Sequence, residues 1–417
     1  MRNSRRVVVT GLGVVAPNGI GKETFWRNLI AGKSAIDYIT AFNPSPYPCH
    51  VAGEVRDFDP TQFMHERRTK HRGRFSQFAV AAAKLAQTDA AIDLTAVAPR
   101  RVVACLGNSM NGSGDVYETA RVGYEREGFK GIPLMSGIEF AAHAPVSHVS
   151  SELGIRGQGM TVASACATGL DAIQWATSQI HDDQADVVFA GSTEAPISEF
   201  CFATLCALGA ISKFQDPPLK ASRPYDRRRD GLVLGEGAAI CVLEELEHAL
   251  DRGAHIYAEV LGFGSGNEGG FGHKMNAAEL ALREAITTAL ENAGKTPRDI
   301  DHINAHGNAL PDYDFIETRA FREAFGSVAY SIPTSSIKSM IGHAMGAASA
   351  FQVVASCLTI ERSVIPPTIN YEVPDPECDL DYVPNEARVS RVNNVLINAH
   401  AMGGTHSVLV IGKPTAQ

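Results

Sequence analysis

Met160-Thr161-Val162-Ala163-Ser164-Ala165-Cys166-Ala167-Thr168-Gly169-Leu170 carries the reading of the whole chain. A short apolar run ends in Met160, Thr161 and Val162. Small residues then surround Cys166, with Gly169 three places on. From there Leu170, Ile173, Thr177 and Ile180 recur at helical spacing. Strand, tight turn, cysteine and helix in that order present a nucleophile at a helix N-terminus. The helix dipole and its unpaired N–H groups there favour the thiolate over the thiol. A lone cysteine among small residues also fits an inert core position, so the rest of the chain has to decide.

Working outward, Val7 to Val15 reads as a buried strand closed by a glycine turn, and Thr24 to Ile30 as a short amphipathic helix. Asn43 to Pro48 is loop. Arg67, Arg68, Lys70, His71, Arg72 and Arg74 form a basic cluster ahead of an alanine-rich helix from Phe75 to Ala86. Val102 to Leu106, Val187 to Gly191 and Ala238 to Leu243 read as strands. A boundary falls at Asp251-Arg252-Gly253, which divides the chain into residues 1–251, with the cysteine, and 252–417. The second half opens on a strand, Tyr257 to Leu261, and continues with a long helix from Met275 to Ala293. Asp301 to Asn304 is a strand leading to His306, and Ala344 to Ile360 is helical. The end alternates strand, Gly-rich turn and strand. Such alternation defines an α/β protein. Gly264-Ser265-Gly266-Asn267-Glu268-Gly269 spells GxGxxG, but Glu268 would repel a phosphate and no suitable acidic partner follows, so it is not read as a dinucleotide site.

Composition narrows the function. The 417 residues are 45% hydrophobic and 20% charged, with a net charge of -9. That balance argues against non-specific nucleic-acid binding. In an acidic chain, a local basic cluster is a candidate surface for an acidic partner. Eight cysteines occur without a CxxC pair or a zinc spacing, which suggests reduced thiols and a cytoplasmic protein. Arg2, Arg5 and Arg6 before Val7-Val8-Val9 resemble the start of a signal peptide. Thr10, Gly11 and Gly13 interrupt the run, so a first strand is expected instead. No stretch has the roughly twenty apolar residues of a membrane helix.

Two further stations join Cys166. Asn304-Ala305-His306-Gly307 follows a strand directly, and Lys338-Ser339-Met340-Ile341-Gly342-His343 leads into Ala344, Gly346 and Ala347. Glycines beside both histidines allow a substrate to approach the backbone. A cysteine with two glycine-flanked histidines is the pattern of covalent thiol chemistry.

These motifs, with Arg223-Pro224-Tyr225-Asp226, Gly235-Glu236-Gly237 and Gly403-Gly404-Thr405, resemble those of β-ketoacyl-acyl-carrier-protein synthases, condensing enzymes of the thiolase fold. The likeness spans essentially the whole chain and is nearest to the elongating synthase II and the type II polyketide ketosynthases. It implies a five-layered αβαβα sandwich of two similar halves and a Cys-His-His enzyme without metal or redox cofactor. Cys166 would accept an acyl group from a carrier thioester. His306 and His343 would hydrogen-bond the thioester oxygen of a malonyl carrier as decarboxylation builds charge there, and the resulting carbanion equivalent would attack the acyl-cysteine. Backbone N–H groups of Cys166 and Met402 would form a second oxyanion hole. Lys338, supported by Glu317 and Asp314, would set the electrostatics. Arg67, Lys70 and His71 would dock the acidic carrier protein.

The same comparison exposes departures. Asn308-Ala309-Leu310 replaces a Thr-Ser-Thr run that touches the pantetheine arm, and His400 and Met402 stand where two phenylalanines are usual. With Met110 and Phe202, these residues would shape the acyl pocket and set a chain preference different from that of a housekeeping elongating synthase. The implied assembly is a homodimer, or a heterodimer with a chain-length-factor-like subunit. The alternatives are a ketosynthase subunit of such a heterodimer and a non-catalytic chain-length-setting subunit. The second characteristically lacks the cysteine.

Overall fold

The computed structural model describes residues 5–270 and 275–414; of the positions read above, Arg2 lies outside them. Ten strands build the main sheet: β1 (Val7–Ala16), β2 (Val102–Gly107), β3 (Gly159–Val162), β4 (Val187–Glu194), β5 (Gly237–Glu245), β6 (Ala258–Asn267), β7 (His302–Asn304), β8 (Thr334–Ser335), β9 (Asn394–His400) and β10 (Thr405–Gly412). Their spatial order is β8-β7-β9-β10-β6-β1-β5-β4-β2-β3, with a two-residue strand, Gly19–Ile20, attached to β1. The order β3-β2-β4-β5-β1 is therefore repeated as β8-β7-β9-β10-β6. The two ladders meet where β1 and β6 run antiparallel through Val8↔Glu259 and Val9↔Ala258.

Helices α1 (Arg74–Ala90), α2 (Thr168–His181), α3 (Met275–Asn292), α4 (Pro311–Phe325) and α5 (Ala348–Arg362) complete the layers. Side chains of a strand alternate between faces, and the cores follow that period. On β4, Val188 and Ala190 pack with Leu170, Ile173, Phe351 and Val354 of α2 and α5. Val187 and Phe189 face Phe78, Ala82 and Ala86 of α1. On β10, Leu409 and Ile411 join the same central layer, whereas Val408 and Val410 pack on Leu282 and Ile286 of α3 and Phe321 of α4. Outer helices, sheet, central helices, sheet, outer helices: this is the five-layered αβαβα sandwich. The strands inside the sheet such as β1, β4 and β5 are covered on both faces, so they read as largely apolar runs. Truncating a fully buried Phe351 in the middle layer would cost about 3–5 kcal/mol.

The first strand is found where expected, as Val7–Ala16, and a turn at Pro17-Asn18 just ahead of Gly19 closes it. β1 runs straight through Gly11 and Gly13, because helix α1 lies against them: a Cβ on Gly13 would sit 1.8 Å from the Ala82 carbonyl oxygen. The GxGxxG run is explained the same way. Gly264 and Gly266 belong to β6, and a Cβ on Gly264 would meet the Ala285 carbonyl oxygen of α3 at 2.1 Å. Both glycine pairs are packing devices for an outer helix.

The middle layer also repeats. α2 and α5 are each preceded by one 3₁₀ turn, Ala165–Ala167 and Met345–Ala347. The first residue of each turn is left-handed, Ala165 at φ 49° and Met345 at φ 47°. Cys166 and Gly346 thus hold matching places. The two helices cross closely at Gly169, where a Cβ would lie 2.3 Å from the Ala350 nitrogen and where Ser349 Oγ accepts the Gly169 N–H at 3.0 Å. Gly169 is therefore required by the crossing that aims Cys166.

Candidate active site

Cys166 ends up buried, 3% exposed, at the head of α2. Its turn is tied down from both sides: Ser164 Oγ donates to Asp171, which also accepts Ser407 Oγ of β10 at 2.6 Å. Burial pushes the thiol up to about 11, while the Lys338 charge and the backbone N–H groups of Met402 and Cys166 pull the other way. The sequence expectation of a standing thiolate is corrected by this. A helix N-terminus lowers a thiol's pKa when solvent can share the charge, but here desolvation outweighs the dipole and the resting group is a thiol.

His306 stands just beyond β7, and its loop hangs on two buried carboxylates of α4. Glu317 accepts the His306 and Gly307 N–H groups at 2.7 and 2.9 Å, together with Tyr225 Oη at 2.5 Å and Asn398 Nδ2 at 2.6 Å. Asp314 accepts the N–H groups of Asn308 and Ala309 at 3.0 and 3.2 Å, and that of Tyr225 at 2.8 Å. Burial raises both carboxyls, Asp314 to about 7 despite the nearby Arg229. Such groups persist in a core because every lone pair finds a donor.

Lys338 opens a single helical turn, Lys338–Ile341. Its Nζ donates to the His306 carbonyl oxygen at 2.6 Å and to Gln352 Oε1 at 3.1 Å. Gln352 Nε2 in turn donates to the Asn304, Ala305 and Asn398 carbonyls at 2.9–3.1 Å. Burial lowers the Lys338 ammonium to about 8, against the opposing pull of Glu317 and Cys166. His343 Nδ1 accepts the Met345 N–H at 3.0 Å. Burial, reinforced by the Lys338 charge, holds His306 and His343 well below the ordinary imidazole range, so both are neutral.

The imidazoles gather at one point. His306 lies 5.2 Å from His343 and 4.3 Å from His400, ring centre to ring centre, and His400 is 5.2 Å from Tyr313 and 5.7 Å from His406. His400 is thus part of the cluster itself. Asn308 turns inward: its Nδ2 lies 3.2 Å from His306 Nε2, and its Oδ1 accepts the Leu310 N–H at 3.0 Å. Met110, Phe202, Leu310 and Met402 fall into one apolar cluster with Met345 and Phe42. A cavity of about 460 Å³ opens beside Leu310, Tyr313 and Met402. Neither it nor a larger one of about 740 Å³ has Cys166 or a histidine in its wall.

The basic cluster divides. Arg67, Lys70 and His71 are exposed, with Lys70 paired to Glu66 at 2.8 Å. Arg68 and Arg72 point to Glu152 at 2.6 and 3.0 Å, and Arg74 to Glu236 at 2.7 Å.

Sequence reasoning missed Tyr225, Gln352, Tyr313, His406 and Glu194. Glu194 closes β4, where its carboxylate accepts the Ser109 and Met110 N–H groups and that of Gly346 at 2.7–3.1 Å. It therefore occupies the second elbow, the counterpart of the one that carries Cys166. Burial pushes it up to about 7. A carboxylate ending an otherwise apolar strand was its available signal.

Comparison with known proteins agrees with this geometry. Residues 4–249 match the family model "Beta-ketoacyl synthase, N-terminal domain" and residues 257–372 match "Beta-ketoacyl synthase, C-terminal domain". The chain is 44% identical to the tetracenomycin polyketide synthase ketoacyl synthase alpha subunit of Streptomyces glaucescens, over 98% of this chain and 97% of that one. It is 39% identical to 3-oxoacyl-[acyl-carrier-protein] synthase 2 of Coxiella burnetii, over 98% and 99%. Two solved structures superpose at TM-score 0.91 with 34% identity over 99% of this chain and 100% of theirs. One is the ishigamide ketosynthase/chain length factor. The other is a type II PKS acyl-carrier protein in complex with its ketosynthase bound to the hexaketide. The chain belongs to the beta-ketoacyl synthase family. It is a condensing enzyme of the acyltransferase type.

Proposed function

We propose that Cys166 carries the acyl group and that the chain joins it to a malonyl unit by decarboxylative Claisen condensation, giving a β-ketoacyl thioester on a carrier protein. The observation that carries this reading is that the Lys338 ammonium and the backbone N–H pair of Cys166 and Met402 all act to lower the buried Cys166 thiol, with the neutral His306 and His343 rings 5.2 Å apart, centre to centre. The N–H pair suits the oxyanion formed when acyl-cysteine is attacked. Glu317 and Asp314 hold the His306 loop, and Met110, Phe202, Asn308, Leu310, His400 and Met402 border the acyl and pantetheine path. His400 and Met402 make this pocket more polar and softer than two phenylalanines would, which favours a distinct acyl chain in a polyketide or specialised lipid pathway.

The partner on this reading is an acyl carrier protein that docks at the exposed Arg67, Lys70 and His71, where opposite charge speeds encounter. Exposed Tyr124, Phe129, Leu134 and Phe140 lie on the segment between β2 and the edge strand β3. Apolar surface of this kind suits a subunit contact, as does the open edge of β3, either with a second copy or with a chain-length-factor-like chain. A purely chain-length-setting role is disfavoured, since Cys166, His306 and His343 are all in place. The division at residues 1–251 and 252–417 is supported by the repeated strand order. No helix among the described residues is long and apolar enough to cross a membrane, in keeping with a cytoplasmic enzyme.

The test is to supply acyl and malonyl carrier thioesters and weigh the carrier-bound product. A β-ketoacyl thioester two carbons longer than the acyl donor, formed with release of CO₂, supports the reading; hydrolysis alone overturns it.

A further inference from the structure

We infer that Asn308 is a positioning residue that fixes His306 in the tautomer opposite to that of His343, so that the two histidines enter the condensation with different polarities.

Hydrogen-bond partners decide an imidazole's tautomer. His343 Nδ1 accepts the Met345 N–H at 3.0 Å, so its proton sits on Nε2 and that nitrogen is a donor. At His306 the partner is the side chain of Asn308. An amide can present either end, but the Leu310 N–H donates to Asn308 Oδ1 at 3.0 Å, which leaves Nδ2 facing His306 Nε2 at 3.2 Å. An NH₂ group only donates, so His306 Nε2 is an acceptor and the proton sits on Nδ1. Nothing opposes this from the other side: His306 Nδ1 has no hydrogen-bond partner among the described residues, and Lys338 engages the His306 carbonyl. Asn308 cannot easily swing away. It is 4% exposed, and Asp314 holds its N–H and that of Ala309.

The consequence rests on the function proposed above. When the malonyl C–C bond breaks, CO₂ leaves and the electron pair moves into an enolate whose thioester oxygen gains charge. His343 Nε2–H can donate to that oxygen without giving up its proton. His306 Nε2, a lone pair already facing an N–H, cannot donate. His343 is then the histidine donor, and His306 is an acceptor.

The decisive measurement is the ¹⁵N spectrum of enzyme labelled at histidine, with His306 assigned by the resonances lost in His306→Gln. The expected result is a protonated Nδ1 and an unprotonated Nε2 for His306, with the reverse for His343. Asn308→Asp keeps the shape and the bond to Leu310 but replaces the donor by an acceptor, so His306 Nε2 should become protonated. A protonated Nε2 in the unsubstituted enzyme overturns the inference, whatever the enzyme condenses. A second readout is decarboxylation of a malonyl carrier thioester supplied alone. His343→Ala should lower it at least about 100-fold, as loss of an oxyanion donor does, and His306→Ala about tenfold less severely. Equal losses would contradict the division of roles. Failure of the unsubstituted enzyme to decarboxylate, with the tautomers as stated, would instead overturn the proposed function.

Discussion

Lys338 Nζ donates to the main-chain carbonyl of His306 at 2.6 Å, so the lysine holds the histidine by its backbone. The same ammonium reaches Gln352, whose amide ties together the ends of β7 and β9. One buried cation therefore places His306 and also spreads positive potential over Cys166 and both histidines.

Lys338→Met keeps the volume and removes the charge and its hydrogen bonds. A buried carbonyl and Gln352 Oε1 lose their donor, and the thiol loses the positive charge that lowers it. Condensation should fall by about 100-fold or more, with kcat carrying most of the loss. Steady-state rates with saturating carrier thioesters check this.

The thiol of Cys166 should show an unusual pH dependence. Burial, against the pull of Lys338, puts it at about 11, so its thiolate fraction and its alkylation rate by iodoacetamide rise tenfold per pH unit at first. Lys338 loses its proton near pH 8, and the pull on the thiol goes with it. The slope of log rate against pH should drop below one above about pH 8 and should stay at one in Lys338→Met. Peptide mass mapping of timed samples separates Cys166 from the other seven cysteines.

Glu152 should stabilise the fold at neutral pH. Burial alone would raise its carboxyl, but Arg68, Lys84 and Arg72 bring it down to about 2. A depressed carboxyl contributes stability that is present above its ordinary unfolded value and is lost as pH falls through the folded one. Glu152→Gln should therefore lower unfolding stability by on the order of 2 kcal/mol at pH 7. The difference from the unsubstituted protein should shrink between about pH 4.5 and pH 2. Denaturant midpoints at several pH values check it.

His400 sits 4.3 Å from His306 and 5.2 Å from Tyr313, ring centre to ring centre. His400→Phe should shift the distribution of carrier-bound product lengths, while malonyl decarboxylation changes by less than about tenfold. Mass analysis of the products and a CO₂ assay read the two effects separately.

The proposed catalytic trio was legible because each member lies in its own short motif, with glycine or small residues beside it. Cys166, His306 and His343 need only local sequence to be suspected and only the fold to be brought together. The network around them was not legible in the same way. Gln352 lies in the middle of an apolar helix, and Tyr225 reaches Glu317 across 92 positions. Their roles exist only after two halves of the chain have packed. The protonation state of Cys166 was misjudged for a related reason: a helix N-terminus can be read from sequence, but the burial that outweighs it cannot. Gly11 and Gly13 only interrupt an apolar run in one dimension, and become a helix seat when α1 is in place.

The measurement that bears most directly on the central claim is peptide mass mapping of the enzyme after brief exposure to an acyl carrier thioester alone. An acyl group on the peptide containing Cys166, absent in Cys166→Ala, is the predicted result. Acylation of another residue, or unchanged acylation and condensation in Cys166→Ala, would contradict it.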